Sequence, residues 1–165
     1  VQLRSDQPAD YVADLADLAE LLERCGVVLS TPAAGQDIEL LEDEAGRIGF
    51  ELIGGLSGGR QPPLAILALR EEFTQADEAY QRSRYEFELI DRERDFRRAY
   101  HLHSPEWFET THLVVVHEHR EAPIGQVRCR HYEGSPIRDG YQGVMTLLTA
   151  WAEESPDCSS LRCLG

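Results

Sequence analysis

The sequence predicts an α+β fold: an antiparallel sheet of about five to seven strands, with an N-terminal and a C-terminal helix packed on one face. Three observations carry this. Apolar residues recur at helical spacing over residues 8–25 and again over 138–153. Most of the chain between those segments alternates apolar and polar residues with period two, as half-buried strands do. The connections EDEAGR and DRER read as hairpin turns.

The first helix places Tyr11, Leu15, Leu18, Leu22 and Cys25 on one face and Asp10, Asp14, Asp17 and Glu20 on others. Asp6 is its expected N-cap, Pro8 suits its first turn, and Gly26 ends it. VVLS, residues 27–30, reads as a short strand. A hairpin follows, with Ile38 and Leu40 on one arm and Ile48, Phe50 and Leu52 on the other. Gly46 lies in its turn, free to take a positive φ. GGLSGGRQPP, residues 54–63, is the expected loop within a single domain spanning 1–165, separating residues 1–53 from 64–165.

After the loop come LAILAL (64–69), YEFELI (85–90), DFRRAYHLH (95–103), THLVVVHEH (111–119) and IGQVRCRHY (124–132), all predicted strands. The fourth has β-branched residues on both faces, as a central strand does. Residues 70–82 fit either a helical turn or a long hairpin loop. Across DRER, placing Ile90 opposite Asp95 sets Glu88 against Arg97, Leu89 against Phe96, and Arg84 against His101. The arginines 82, 84, 92, 94, 97 and 98 then read as a solvated hairpin, cross-paired with Glu86, Glu88, Asp91, Glu93 and Asp95. The C-terminal helix buries Val144, Leu147, Leu148 and Trp151; Ser135 and Pro136 suit its start, while Gly140 and Gly143 weaken its first turn. Residues 155–165 are expected as loop or a last edge segment.

Composition narrows the function. The chain has 165 residues, 42% hydrophobic and 28% charged, which suits one soluble globular domain. No apolar run approaches the roughly 18 residues of a membrane span. VQLRSDQPAD lacks the basic-then-apolar layout of a signal peptide. A formal net charge of −14 argues against nucleic acid and anionic membrane as partners and permits a basic protein partner. All 16 Lys-plus-Arg residues are Arg. Without lysine, phosphate-loop, protein-kinase and Schiff-base chemistries lose an essential group. LSGGR is similar to the signature motif of ABC-type ATPases, but the phosphate loop those enzymes need is missing. Cys25 and Cys129 read as small buried hydrophobes, and Cys158 and Cys163 as a disulfide or half a metal site. A cytoplasmic location with free thiols is expected.

All six histidines lie between His101 and His131, four of them in two H-x-H pairs, His101 with His103 and His117 with His119. In a strand, residues i and i+2 share a face, so each pair projects two imidazoles side by side. Such pairs on adjacent strands hold zinc or another transition metal, with Glu86, Glu88, Glu106 and Glu118 as carboxylate candidates. The H-x-H pair is also a feature of cupin metal sites; HLHSPE and HEHRE lack the later Gly, Pro and third His of that pattern. Cys129, His131, Cys158 and Cys163 form a second zinc-compatible set. Against both stands the expectation that strand parity, or an intervening strand, splits the histidine pairs so that fewer than three nitrogens converge.

No G-x-S-x-G elbow is present, and no catalytic residue is identified. The expected function is an acidic, non-catalytic protein-binding module of adaptor, antitoxin-like or immunity type, with a protein partner and no cofactor. The alternative is a small metal-dependent enzyme using His101, His103, His117 and His119.

Overall fold

Among the described residues, eleven elements form in the order β1 (Gln2–Arg4), α1 (Pro8–Arg24), β2 (Val27–Leu29), β3 (Glu39–Glu42), β4 (Ile48–Leu56), β5 (Ala65–Ala76), β6 (Ala79–Asp91), β7 (Phe96–Leu102), β8 (Val116–Glu121), β9 (Cys129–His131) and α2 (Gly140–Glu154). The structure is a computed structural model that describes residues 2–4, 8–24, 27–29, 39–44, 46–56, 65–102, 116–126, 129–133 and 137–154. All described strand pairs are antiparallel. The hydrogen-bonded order is β2-β4-β5-β6-β7-β8-β9. β3 lies beside β2 along one edge of β4, and β1 lies beyond β7 along one edge of β6. The nine described strands fill seven positions across the sheet, and with the two helices they make the expected α+β fold. No helix among the described residues is long and apolar enough to cross a membrane.

Both helices cover the same face. Tyr11, Leu15, Leu18 and Leu22 of α1 and Val144, Leu147, Leu148 and Trp151 of α2 share one core with Phe50, Leu52, Leu67, Leu69, Phe73, Phe87 and Leu89 of the sheet. Tyr11, Phe50 and Phe73 meet edge to face, with centroids 5.3–5.7 Å apart, which adds a directional term to their burial. Gly46 takes φ +71 in the first hairpin turn, as its sequence position implies.

Gly140 and Gly143 do more than weaken a helical turn. A Cβ at Gly143 would lie 2.6 Å from the Phe87 ring, and one at Gly140 would lie 2.7 Å from a Leu69 methyl and 2.9 Å from a Leu15 methyl. The two glycines let α2 approach the sheet closely. Gly143→Ala gains about 1 kcal/mol of helix propensity but forces a buried ring to move, at about 1–3 kcal/mol. A net loss of thermal stability is expected. It should exceed that of Gly140→Ala, where terminal methyl groups can rotate away. A Gly143→Ala protein that melts higher than the parent contradicts this packing. The cap of α2 is Asp139, whose carboxylate accepts from the Gln142 N–H at 2.8 Å; Ser135 and Pro136 lie outside the described residues.

Five sequence expectations need correction. Residues 70–82 are neither a helical turn nor a long loop: β5 and β6 are long strands joined by Asp77 and Glu78, with Asp77 at φ 55. The next hairpin turns through residues 92–95, with Asp95 at φ 54, so Asp91 rather than Ile90 closes the ladder. The register shifts by two: Glu88 faces Ala99, Leu89 faces Arg98, and Glu86 rather than Arg84 faces His101. A shift of two preserves every face, and Arg97 still reaches Glu88, at 2.5 Å on the diagonal. Third, Arg82 and Arg98 are buried on the helix side, so they do not belong to a solvated hairpin. Fourth, residues 124 and 125 form a turn, and the last described strand is Cys129–His131; fifth, β4 runs to Leu56, so residues 54–56 are strand rather than part of the expected loop.

A bulge explains Arg82. The β5–β6 register slips between Glu72 and Phe73, so that Ser83 is the extra residue. One inserted residue exchanges the faces of everything beyond it. Arg82 thus turns inward, where its Nη1 donates to Glu71 Oε1 at 2.7 Å and its guanidinium lies 4.5 Å from the Tyr85 ring centre. Its Nη2 donates to the Ile137 carbonyl. The Tyr11 hydroxyl donates to Glu71 Oε2 and accepts from the Gly140 N–H at 2.9 Å. One buried polar network thereby joins α1, β5, β6 and the start of α2.

Candidate metal centre

The sheet face away from the helices carries a second network, laid out in cross-strand rows. One row runs Glu51, Arg70, Glu86, His101, His117, each the register partner of the next. The next row runs Ala68, Glu88, Ala99, His119. β7 and β8 are direct neighbours, His101 stands opposite His117, and His119 follows two residues on along β8. The pleat then puts all three rings on one face.

The three rings touch. Their centroids lie 5.2, 4.7 and 5.0 Å apart, and one nitrogen from each lies within 4.8 Å of the other two. The Nε2 atoms of His117 and His119 are 3.0 Å apart. His117 is 1% exposed and His101 8%; His119 is half-buried. The expectation that parity or an intervening strand would divide the pairs is therefore overturned. The parities match, because His101 stands directly opposite His117 on the adjacent strand and His119 shares the face of His117.

Carboxylates flank the cluster. Glu86 Oε1 is 3.8 Å from His101 Nε2, and Glu121 Oε1 is 3.9 Å from His119 Nδ1. Glu121 is buried and firmly held: it accepts from Arg97 Nη1 and, at 2.8 Å, from the Gly125 N–H. Burial pushes its carboxyl pKa up, but the Gly125 N–H and the Arg97 guanidinium outweigh that and hold it below the usual range. Glu121 thus presents fixed negative charge to the Nδ1 side of His119. That favours the tautomer with hydrogen on Nδ1 and a bare lone pair on Nε2, the atom facing His117.

Of the residues singled out from sequence, the structure brings together His101, His117 and His119, with Glu86 beside them. Glu88 shares the face but is engaged by Arg97. Glu118 lies between the two histidines of β8 and so faces the helix side, opposite Tyr100. His103, Glu106, Cys158 and Cys163 lie outside the described residues, as do Ser57 to Gly59 of LSGGR. The backbone register pairs His131 with His117 and Cys129 with His119. Glu121 was not anticipated. Its signal was the same period-two pattern extended by one step, since residues 117, 119 and 121 of HEHRE share a face.

Three imidazoles suit zinc or a neighbouring first-row ion, and three protein ligands leave a fourth position for water or substrate. Zinc–nitrogen bonds of about 2.0–2.1 Å need ligand nitrogens roughly 3–3.5 Å apart. The His117–His119 pair already has that spacing, and the nitrogen offered by His101 lies within 4.8 Å of both. No protein family, curated protein or solved structure matches the chain.

Proposed function

We propose that this chain is a metal-dependent protein in which His101, His117 and His119 bind one divalent transition-metal ion. The gathering of three ring nitrogens within 4.8 Å of one another supports this most directly. Crowded imidazoles repel one another once protonated, and burial disfavours their charge. A bound cation turns that crowding into a favourable arrangement. An open fourth position would suit a small enzyme whose metal lowers the pKa of a bound water, and Glu86, whose Oε1 lies 3.8 Å from His101 Nε2, would be the carboxylate beside it.

The second reading is an acidic module for a basic protein partner. It draws on the exposed face of α1, where Asp10, Asp14, Asp17, Glu20 and Glu23 are all open to solvent. One experiment separates the two. Protein purified without an affinity tag and dialysed against buffer containing zinc should retain close to one equivalent by elemental analysis. Replacing zinc by cobalt should produce the visible absorption of a low-symmetry, nitrogen-ligated ion. His117→Ala and His101→Ala should each lose at least about a hundredfold in affinity. Unchanged stoichiometry in both variants, or no retained metal in the parent, returns the chain to the second reading.

A further inference from the structure

We propose that the metal set of the histidine face extends to His131 of β9, so that four imidazole nitrogens hold the ion. The inference rests on the metal reading above and fills the position that His101, His117 and His119 leave open. A continuous row carries it. His101 of β7 is the register partner of His117 of β8, and His117 is the register partner of His131 of β9. Three successive strands therefore place a histidine at the same level of the sheet. Direct partners share a face, and this is the face on which the rings of His101, His117 and His119 meet. The whole chain has six histidines. Four of them fall in this row or one pleat step from it, a concentration that a single shared ion accounts for.

Span decides between His131 and its neighbour Cys129. Adjacent strands lie about 4.8 Å apart, so the outer members of the row are separated by roughly 10 Å at the backbone. Two imidazoles directed at one ion from opposite sides, each ending in a metal bond of about 2.0–2.1 Å, cover that span. Cys129 is placed opposite His119, one pleat step along from His131. Its diagonal to His101 is longer than the row, and a cysteine reaches less far than an imidazole. His131 is therefore the fourth ligand. Four protein ligands complete the tetrahedron of a structural zinc site, whereas three keep a position for water. β9 has three residues, and its register partners all lie on β8. An ion shared by β7, β8 and β9 ties this short strand into the sheet, so its part is to hold structure rather than to activate water.

The test uses the full chain, cobalt as the spectroscopic ion and azide as the probe for an open position. The parent should hold one equivalent of cobalt and keep its visible spectrum when azide is added. His131→Ala should bind zinc at least about tenfold more weakly, and its cobalt spectrum should shift with azide. A residue that only shapes the strand could weaken binding, but its loss would not open a position to the anion. A parent spectrum that moves with azide overturns the fourth ligand, whether or not His131→Ala folds. An azide-silent His131→Ala also overturns it, as does thiolate absorption in the parent that Cys129→Ser removes. Each of these results leaves the three-histidine metal reading standing. A parent that retains no metal sinks that reading and this one together.

Discussion

Glu71→Ala is expected to lower the unfolding free energy by about 3–5 kcal/mol, because it leaves the Arg82 guanidinium buried without its carboxylate. Glu71 is 1% exposed and Arg82 8%, so solvent screens the pair little. Glu71 also accepts from the Tyr11 hydroxyl, and the Gly140 N–H donates to the same hydroxyl. The substitution therefore loosens α1 and the start of α2 together. Replacing both partners, Glu71→Leu with Arg82→Met, should cost much less than either single change, since no buried charge remains. Urea unfolding of the four proteins measures this cycle. A Glu71→Ala protein within about 1 kcal/mol of the parent would show that the pair is not sequestered as described.

The same residue predicts a pH dependence. Burial raises the Glu71 pKa, and the Arg82 charge and Tyr11 hydroxyl only partly offset it. Between the unfolded and the raised folded pKa the native state holds a proton that the unfolded state has released, whereas above both it carries the carboxylate paired with Arg82. Stability from this group is fully present below the unfolded carboxyl pKa, about 4.3, and is lost as pH rises through the higher folded value. Glu71→Gln removes that titration. The advantage of the parent over Glu71→Gln should therefore shrink as pH rises from about 4 toward neutrality. A constant difference across that range would indicate no raised pKa.

Zinc is expected to stabilise the protein by about 2.7 kcal/mol when free zinc is a hundredfold above its dissociation constant. For a chain of this size that is a rise of roughly 5–10 °C in melting temperature. Chelator should reverse it. Lowering the pH to about 5 should also reverse it, because only neutral imidazole binds metal. His101→Ala and His117→Ala should melt at the same temperature with and without zinc. A zinc-induced rise retained in His117→Ala would place the ion elsewhere and remove the histidine face from the argument.

Several features were legible because they are local. The inner face of α1 follows from the spacing of Tyr11, Leu15, Leu18 and Leu22, and those residues are buried. The shared face of His117 and His119 follows from the pleat alone. The error in the β6–β7 register left the faces intact, because the four-residue turn slid by one position along the chain, which moves every cross-strand partner by two. Glu71 shows where local reading failed. It sits in the inward row Leu67, Leu69, Glu71, Phe73, and a charge in that row disguised a continuing strand as a loop.

By itself the sequence determined the two amphipathic helices, the antiparallel strands and the face each described histidine takes within its own strand. Helical and period-two spacing follow from the backbone geometry of a single segment, and no distant contact is needed to impose them. Only the tertiary structure decided that β7 and β8 are neighbours, that His101 stands opposite His117, and that the Ser83 bulge turns Arg82 toward Glu71. Those outcomes depend on which strands pair and on where a bulge falls. Both are set by packing across the whole sheet, so spacing within any one strand carries no record of them.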